Sequence, residues 1–365
     1  MLVLLLVTAV FSYLVSLAES YSMILILAFL VGFAGNSFSS GVAWNSAWVP
    51  KERQGLALGI FGAGNVGASV TKFIGPVLIT ATAGATYFGF IQGGWRLVPV
   101  IYSVLLVITA VALLMFPPKQ DRKPGAGRLL KDELRPLKQM RVWRFSLYYV
   151  AVFGAYVALA AWLPKYYVDN FGVTLSTAAL LTATYIFPAS LLRPLGGWFS
   201  DKIGARKVMY WTFYAMIGST FLLMVPNGHL VVNVSESVSA TGVKEVLPYE
   251  LGLVPFAILV FILGCAMGIG KAAVYKHIPE YFPGQVGSVG GLVGMFGGLG
   301  GFALPPLFAY TTAWTGLPSA TFFVLFVLSV VCLIWMHLTV VRMLAKEAPE
   351  LSDHFETPPL EENAS

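Results

Sequence analysis

The chain has 365 residues, of which 57% are hydrophobic and only 11% are charged, less than half the roughly 25% charged content of an average soluble domain. Its net charge of +6 accompanies a mean hydropathy of +0.77, so the basic excess is not a solvated face for nucleic acid. Two cysteines, Cys265 and Cys332, lie in apolar runs without disulfide or metal-ligand spacing, so neither a metal nor a cofactor is expected.

Ten stretches are long and apolar enough to cross a bilayer, for which a helix needs about 20 residues. They are predicted at residues 1–18, 22–48, 55–80, 95–116, 145–165, 174–199, 208–225, 253–281, 286–312 and 318–341. Their apolar runs are unbroken, whereas the strands of a transmembrane barrel alternate apolar and polar residues. The sequence therefore predicts an all-α polytopic membrane protein.

Lysine and arginine collect on one side of this predicted topology, and only Arg96 and Lys244 fall in loops on the other. Cytoplasmic loops carry such an excess, so we expect a plasma-membrane protein with a cytoplasmic C-terminus. The residues on the basic side are Lys51, Arg53, nine between Lys119 and Arg144, Lys202, Arg206, Lys207, Arg342 and Lys346.

A loop rich in proline, glycine and charge divides the chain unequally. We predict an N-terminal bundle of four helices at 1–116, a basic cytoplasmic linker at 117–144, a six-helix bundle at 145–341 and a cytoplasmic tail at 342–365. A repeat supports duplication, because a shift of 233 residues places Gly35 on Gly268, Pro50 on Pro283, Gly64 on Gly297 and Gly67 on Gly300.

Cations lie within the predicted spans at Lys72, Arg193 and Lys271, while acidic residues are confined to loops and helix ends. A buried cation without a carboxylate is costly, so it should face a wet cavity or pair with a transient anion. Arg193 is the main candidate, since a guanidinium makes forked bonds to planar oxyanions. The alternative interpretation of Arg193 is that its side chain snorkels to the membrane interface. Lys72 and Lys271 are candidate secondary cationic sites, and the same alternative applies to them.

Two segments of the predicted helices, 59–69 and 287–301, are rich in glycine. Close helix packing explains many such glycines in membranes. The functional alternative is that missing side chains let a small substrate approach the backbone, with Asn65 as an amide donor.

The stretch from Gly32-Phe-Ala-Gly35-Asn36 through Pro50-Lys51 to Gly64-Asn65-Val-Gly67 resembles the first signature of the nitrate/nitrite porters, and 294–305 resembles the second. The segment Gly197-Trp-Phe-Ser-Asp201-Lys202-Ile-Gly204-Ala-Arg206-Lys207 is similar to the cytoplasmic loop motif of the major facilitator superfamily. The resemblance implies a fold of two six-helix halves, in which this chain shows ten of twelve helices and lacks the first two at its N-terminus.

The resemblance also implies a site in which nitrate or nitrite lies between two arginines, backed by a tyrosine and the glycine-rich helices. Arg193 matches the second arginine and Tyr149 the tyrosine, with Tyr148 as the neighbouring alternative, whereas the first arginine would fall upstream of Met1. Asp201, Lys202 and Arg206 would form a conformational latch. The remaining substrate-binding candidates are Asn65, Gly64, Gly67, Gly297, Gly298, Gly300 and Gly301.

We therefore expect a monomeric, non-enzymatic transporter that moves nitrate, and also nitrite, by alternating access, with proton-coupled uptake for nitrate assimilation. Lys271 and Glu280 look more like the proton-coupled branch than like the exchangers of the family. One alternative is a transporter of the same fold for another small anion, such as formate. The other is a truncated or sensor homologue that does not transport.

Overall fold

The computed structural model describes residues 1–116, 122, 129–226, 228–233 and 243–347. Residues 117–121 and 123–128 of the predicted linker and most of the predicted tail therefore lie outside the described residues. Helix dominates the described part, in which the long helices are α1 (Leu2–Ser16), α2 (Tyr21–Trp48), α3 (Lys51–Ala81), α4 (Gly94–Met115), α5 (Met140–Phe171), α6 (Leu175–Ile203), α7 (Ala205–Met224), α8 (Leu253–Tyr281), α9 (Val286–Thr315) and α10 (Ala320–Glu347).

Each predicted span corresponds to one of these helices, which confirms the all-α fold class. Eight of them are long and apolar enough to cross a membrane. The other two are α1, which has 15 residues, and α7, whose residues 210–214 are mainly aromatic and polar.

Helices α5 and α10 are longer than the predicted spans, because polar residues extend each helix beyond its apolar run. Helix α5 covers Met140–Phe171 rather than 145–165, and at its far end Lys165 and Asp169 form an exposed i,i+4 ion pair of 2.7 Å. Helix α10 continues to Glu347, inside the predicted tail.

Local sequence signals explain several helix ends. The side chains of Ser20 and Thr174 cap α2 and α6 by accepting hydrogen bonds from the backbone N–H groups of Met23 and Thr177. Gly172 and Gly316 end α5 and α9 in the left-handed conformation, with φ of 64° and 70°.

Four helices are irregular in their middle. Helices α2 and α3 contain 3₁₀ stretches at Gly32–Gly35 and Ala63–Val66, and α5 contains a π-helical stretch at Val150–Gly154. Helix α6 breaks at Leu192, just before Pro194, which has no N–H to donate. Such irregular turns are frequent at functional sites.

Two antiparallel hairpins, which the sequence did not predict, lie in loops on one side of the molecule. Thr86–Tyr87 pairs with Ile91–Gln92, and Gly228–Asn233 pairs with Val243–Tyr249. We call the opposite side, which carries the α2–α3, α4–α5, α6–α7 and α8–α9 connections, the basic side.

The buried hydrophobic core lies almost wholly in α5–α10, to which Val42 of α2 and Leu58 of α3 are added. Glycines allow close approaches between the early and late helices. A Cβ on Gly197 of α6 would lie 2.0 Å from the carbonyl oxygen of Gly55 of α3, and one on Gly287 of α9 would lie 3.0 Å from the Cβ of Ala43. On the basic side, α3 therefore contacts the backbone of α6, and α2 packs closely on α9.

Candidate anion-binding site

A cavity of about 360 Å³ lies between α2, α3, α5 and α9. The irregular stretches of α2 and α3 both contribute to its wall, because Gly32, Gly35 and Asn65 line it. The other lining residues are Phe38, Ser39, Tyr149, Phe153, Gly291, Gly294, Met295 and Gly298.

Arg193 lies behind this wall and is 1% exposed. Its Nη1 donates to the carbonyl oxygen of Gly62 at 3.0 Å, and its Nη2 donates to the hydroxyl of Tyr149 at 3.2 Å. Its Nε has no hydrogen-bond partner among the described residues. The guanidinium is therefore buried with unused donors.

No carboxylate neutralises Arg193 in the described part of the chain. The acidic residues in the described helices α1–α10 are Glu52, Asp169, Asp201, Glu280 and Glu347, all near helix ends. A buried and uncompensated charge is costly, and its cost falls when an anion arrives. The site is electrostatically suited to a small anion.

Gly62 and Phe38 determine where the guanidinium lies. A Cβ on Gly62 would lie 2.5 Å from the Cζ of Arg193, so only glycine leaves room for this side chain. The ring of Phe38 faces the guanidinium, with its centroid 5.6 Å from Cζ. Phe38 and Tyr149 both line the cavity, so these two side chains separate Arg193 from the empty space.

Tyr149, rather than Tyr148, contacts Arg193. Its ring stacks on Phe153 at 4.9 Å and meets the ring of Tyr275 edge to face at 4.9 Å. Gly297 makes room for it, since a Cβ there would lie 2.4 Å from the Tyr149 ring. The Tyr148 ring packs on α7 instead.

The predicted glycines have different surroundings. Gly298 lines the cavity, while Gly300 and Gly301 pack on Val150 and Val157 of α5. Gly64 and Gly67 are exposed, and nothing lies within 4 Å of a Cβ at either position. The structure therefore brings Asn65, Tyr149 and Gly298 together at the cavity, with Gly297 packed against the Tyr149 ring, and leaves the other four glycines away from its wall.

Lys271 of α8 is fully buried against α5 and α6. Its Nζ donates to the carbonyl oxygen of Ala189 at 3.1 Å and lies 3.0 Å from the centroid of the Tyr156 ring. Ala189 lies one turn before Arg193, at the break in α6. Lys72, by contrast, is half-buried and donates to the carbonyl oxygen of Ala160.

The predicted latch centres on Asp201. Its carboxylate accepts hydrogen bonds from the backbone N–H groups of Gly55 at 3.0 Å and Leu56 at 2.8 Å, in the first turn of the α-helical part of α3. Its cationic partner is Lys276 of α8, at 2.8 Å. Arg206 donates to the hydroxyl of Tyr281 at 3.1 Å, and Lys202 is exposed.

A second cavity, also of about 360 Å³, lies on the basic side between α2 and the start of α9. Ser39 lines both cavities, so the second one adjoins the first. Ser40 and Ser46 of α2 and Ser288 of α9 supply hydroxyl groups to its wall. Glu133, which precedes α5, contacts the hydroxyl of Ser288 there.

Sequence reasoning missed Phe38, Gly62 and the role of Lys276 as partner of Asp201. Gly62 lies in the glycine-rich run 59–69, so that run contained a signal for a close approach. No sequence pattern distinguishes the aromatic ring of Phe38 from other apolar residues of the span.

Apolar helices that surround a central cavity beside a buried cation define a multi-pass membrane transporter. The family model described as Major Facilitator Superfamily matches residues 1–235 and 168–361. The fucose:proton symporter FucP, in its outward conformation, superposes with a TM-score of 0.65 over 92% of this chain and 81% of FucP, at 15% sequence identity. At that identity the likeness concerns the fold alone.

Sequence relatives identify the family within this superfamily. The probable nitrate/nitrite antiporter NarK1 of Thermus thermophilus is 60% identical over 350 residues, which cover 96% of this chain and 78% of that protein. The nitrite extrusion protein of Bacillus subtilis (strain 168) is 32% identical over 327 residues, which cover 88% of this chain and 73% of that protein. The chain belongs to the nitrate/nitrite porter family of the Major Facilitator Superfamily, whose members are transporters.

Proposed function

We propose that this protein transports nitrate and nitrite across the cytoplasmic membrane. The observation that carries the proposal is Arg193, a buried guanidinium with unused donors and no described carboxylate, beside a cavity large enough for a small oxyanion. The names of the two relatives support nitrate and nitrite as the substrates.

The geometry supports a binding step in which the anion enters the cavity and displaces Phe38 from the face of the Arg193 guanidinium. A planar oxyanion then accepts two parallel N–H bonds from the guanidinium, and the Asn65 amide supplies a further donor. The anion accepts from donors of Arg193 that the structure leaves unused, while the Gly62 carbonyl and the Tyr149 hydroxyl remain the acceptors that orient the guanidinium.

Transport further requires that the site open to alternate sides. On the basic side, the Asp201 contacts hold α3 against α6 and α8, and these contacts must break for release there. The cavity between α2 and α9, which adjoins the site at Ser39, supplies a hydroxyl-lined route in that direction. The positive-inside rule makes this side cytoplasmic, together with the C-terminus. We treat the transporting unit as a monomer of two helical bundles, 1–116 and 145–341, joined by the linker 117–144.

Uptake of labelled nitrate into proteoliposomes tests the proposal. We expect uptake by the wild-type chain, and a KM about tenfold or more higher for Arg193→Lys, because a lysine keeps the charge but loses the forked contact. Arg141→Lys, which changes an exposed arginine of α5, is the matched control and should leave the KM unchanged.

Two other outcomes would contradict nitrate transport and indicate a different function. If excess formate abolishes uptake of labelled formate while excess nitrate does not, the substrate is a carboxylate. If nitrate binds with no flux in either direction, the protein is a sensor.

Two coupling modes remain candidates, each supported by a particular observation. Exchange of nitrate for nitrite is supported by the word antiporter in the name of the Thermus relative and by acidic residues that lie only near helix ends of the described spans. Proton-coupled uptake for nitrate assimilation is supported by the amine of Lys271, an ionisable group buried within the spans. Preloading proteoliposomes with nitrite, with and without an inward proton gradient, separates the two modes.

A further inference from the structure

Lys72 joins α3 to α5 in the half of the molecule nearer the two hairpins, which we call the hairpin side and which lies opposite the basic side. Its ammonium group donates a hydrogen bond to the carbonyl oxygen of Ala160 in α5. Lys72 is half-buried and makes no ion pair with another described residue. A lysine that only snorkels extends toward the lipid headgroups, whereas Lys72 binds the backbone of a neighbouring helix.

The carbonyl of Ala160 is available to Lys72 because of a proline. In a regular α-helix this oxygen accepts from the backbone N–H four residues later, and in α5 that residue is Pro164, which has no N–H. Within a membrane, a carbonyl freed in this way needs another donor, and a neighbouring helix can supply it. Lys72 is that donor, so the bond satisfies a cation of α3 and an unpaired carbonyl of α5 together.

Lys72 and Asp201 make polar contacts at opposite ends of α3. On the basic side, the Asp201 carboxylate accepts from the backbone N–H of Leu56 at 2.8 Å. Lys72 lies 16 residues after Leu56, or about 24 Å along a helix. Asn65, which lines the central cavity, and the 3₁₀ stretch Ala63–Val66 lie between the two contacts. The cavity is therefore bracketed by one contact on each side.

We propose that the bond between Lys72 and Ala160 is a gate, which closes the central cavity toward the hairpin side and opens when the ammonium group leaves the carbonyl. The Asp201 contact is its counterpart on the basic side, so breaking one contact while the other holds opens the cavity to one side at a time. The inference rests on the alternating access proposed above.

The chemistry of this gate suits a carrier of anions. When the gate opens, the Lys72 ammonium loses its carbonyl partner and becomes a free cation on the route from the hairpin side to Arg193. An anion that approaches from that side pairs with this cation, and it therefore favours the open state over the closed one. A cationic substrate would gain nothing from such a gate.

The distance between the ends of α3 and α5 on the hairpin side reports the state of the gate. Spin labels at Ala83→Cys and Asn170→Cys, two exposed positions, allow double electron–electron resonance in proteoliposomes, with Cys265 and Cys332 replaced by alanine. Lys72→Met keeps the length of the side chain but loses the donor. We expect it to raise the ratio of long to short distances about tenfold, as for loss of a hydrogen bond to a charged group.

Two lysine variants serve as controls. Lys72→Arg retains a cationic donor and should restore most of the short distance. Lys165→Met removes an exposed lysine of α5 from the same side, where its charge pairs with Asp169, and should give the wild-type ratio. A wild-type ratio in Lys72→Met would overturn the gate and leave snorkelling as the role of this lysine.

Pro164→Ala keeps the test decisive if Lys72→Met fails to fold. It returns an intrahelical N–H to the Ala160 carbonyl, which then no longer depends on Lys72, so the long distance should again gain population. An unchanged ratio in Pro164→Ala would contradict the gate. The measurement needs no substrate, so it is separate from the proposed function. If the Lys72 and Pro164 variants open the gate but labelled nitrate is not transported, the gate stands and the proposed substrate is wrong.

Discussion

Arg193 is held by acceptors from two distant parts of the chain, the carbonyl of Gly62 and the hydroxyl of Tyr149. Both acceptors are neutral, so they orient the guanidinium without cancelling its charge. A carboxylate in either place would hold the arginine more tightly but would compete with a substrate anion. The arrangement therefore combines orientation with an available positive charge.

The two adjacent tyrosines of α5 provide a residue-scale prediction. Tyr149→Phe removes an acceptor that orients Arg193, and we expect nitrate affinity to fall about tenfold, as for loss of a hydrogen bond to a charged group. Nitrate titration of detergent-purified protein measures this. Tyr148→Phe is the control, because the two residues are equally buried and the Tyr148 hydroxyl does not contact Arg193. Equal losses in both variants would show that ring packing, rather than the hydroxyl bond, supports the site.

Residue identity alone indicated some of this site and not the rest. Arg193 was predictable because a cation within an apolar span is rare and must have a reason. Gly62 was not distinguishable from the other glycines of its run, because its role depends on which side chain of α6 approaches it. Phe38 carried no signal, since an aromatic residue in a membrane span is ordinary.

At the scale of elements, the contact between α3 and α6 depends on missing side chains at Gly55 and Gly197. Their backbones approach closely enough for the Asp201 carboxylate to reach two N–H groups at the start of an α-helical segment. A carboxylate is favourable there because of the unpaired N–H groups and the helix dipole. Lys276 adds a cation from α8, so one carboxylate joins three helices.

Removing the carboxylate charge of Asp201 should weaken the contact of α3 with α6 and α8 on the basic side. We expect Asp201→Asn to speed hydrogen exchange of the amides in Gln54–Gly62 about tenfold or more, because the side chains of Asp201 and Lys276 are only 8% and 6% exposed and a broken buried pair is costly. Exchange measured by mass spectrometry reports this directly.

The matched control is Asp169→Asn, which breaks the ion pair with Lys165, where the two side chains are 49% and 75% exposed. Exposed pairs contribute little to stability, so exchange in Gln54–Gly62 should not change. If both variants exchange at the wild-type rate, Asp201 does not hold the helices together.

Helix positions were predictable from the apolar runs, because a bilayer imposes a minimum length on every span. The ends of the helices were less predictable. The charged last turn of α5 and the tail end of α10 continue as helix beyond the apolar stretch, where water can solvate side chains. The hairpins were not predicted either, since strand pairing in polar loops leaves no apolar run to count.

For the molecule as a whole, the distribution of lysine and arginine sets an orientation that can be measured. In a background with Cys265 and Cys332 replaced by alanine, we expect Ala83→Cys to react with a membrane-impermeant maleimide in intact bacterial cells. Lys131→Cys should react only after the membrane is permeabilised. Both positions are exposed, so accessibility depends on the side of the membrane. Reversed labelling would place the basic side outside.

The sequence by itself determined that this is a helical membrane protein, where its spans lie, that its buried charges are cationic, and which family it resembles. These properties follow from composition, length and motif, which are local along the chain. Only the tertiary structure decided that Tyr149 rather than Tyr148 meets Arg193, that Lys276 rather than Lys202 pairs with Asp201, and that Gly298 but not Gly64 lines the cavity. Such choices depend on how each helix is rotated about its axis and how the helices cross. Neighbouring residues on a helix point about 100° apart, and a span that is apolar on most sides has no sequence pattern that shows which of them faces the site.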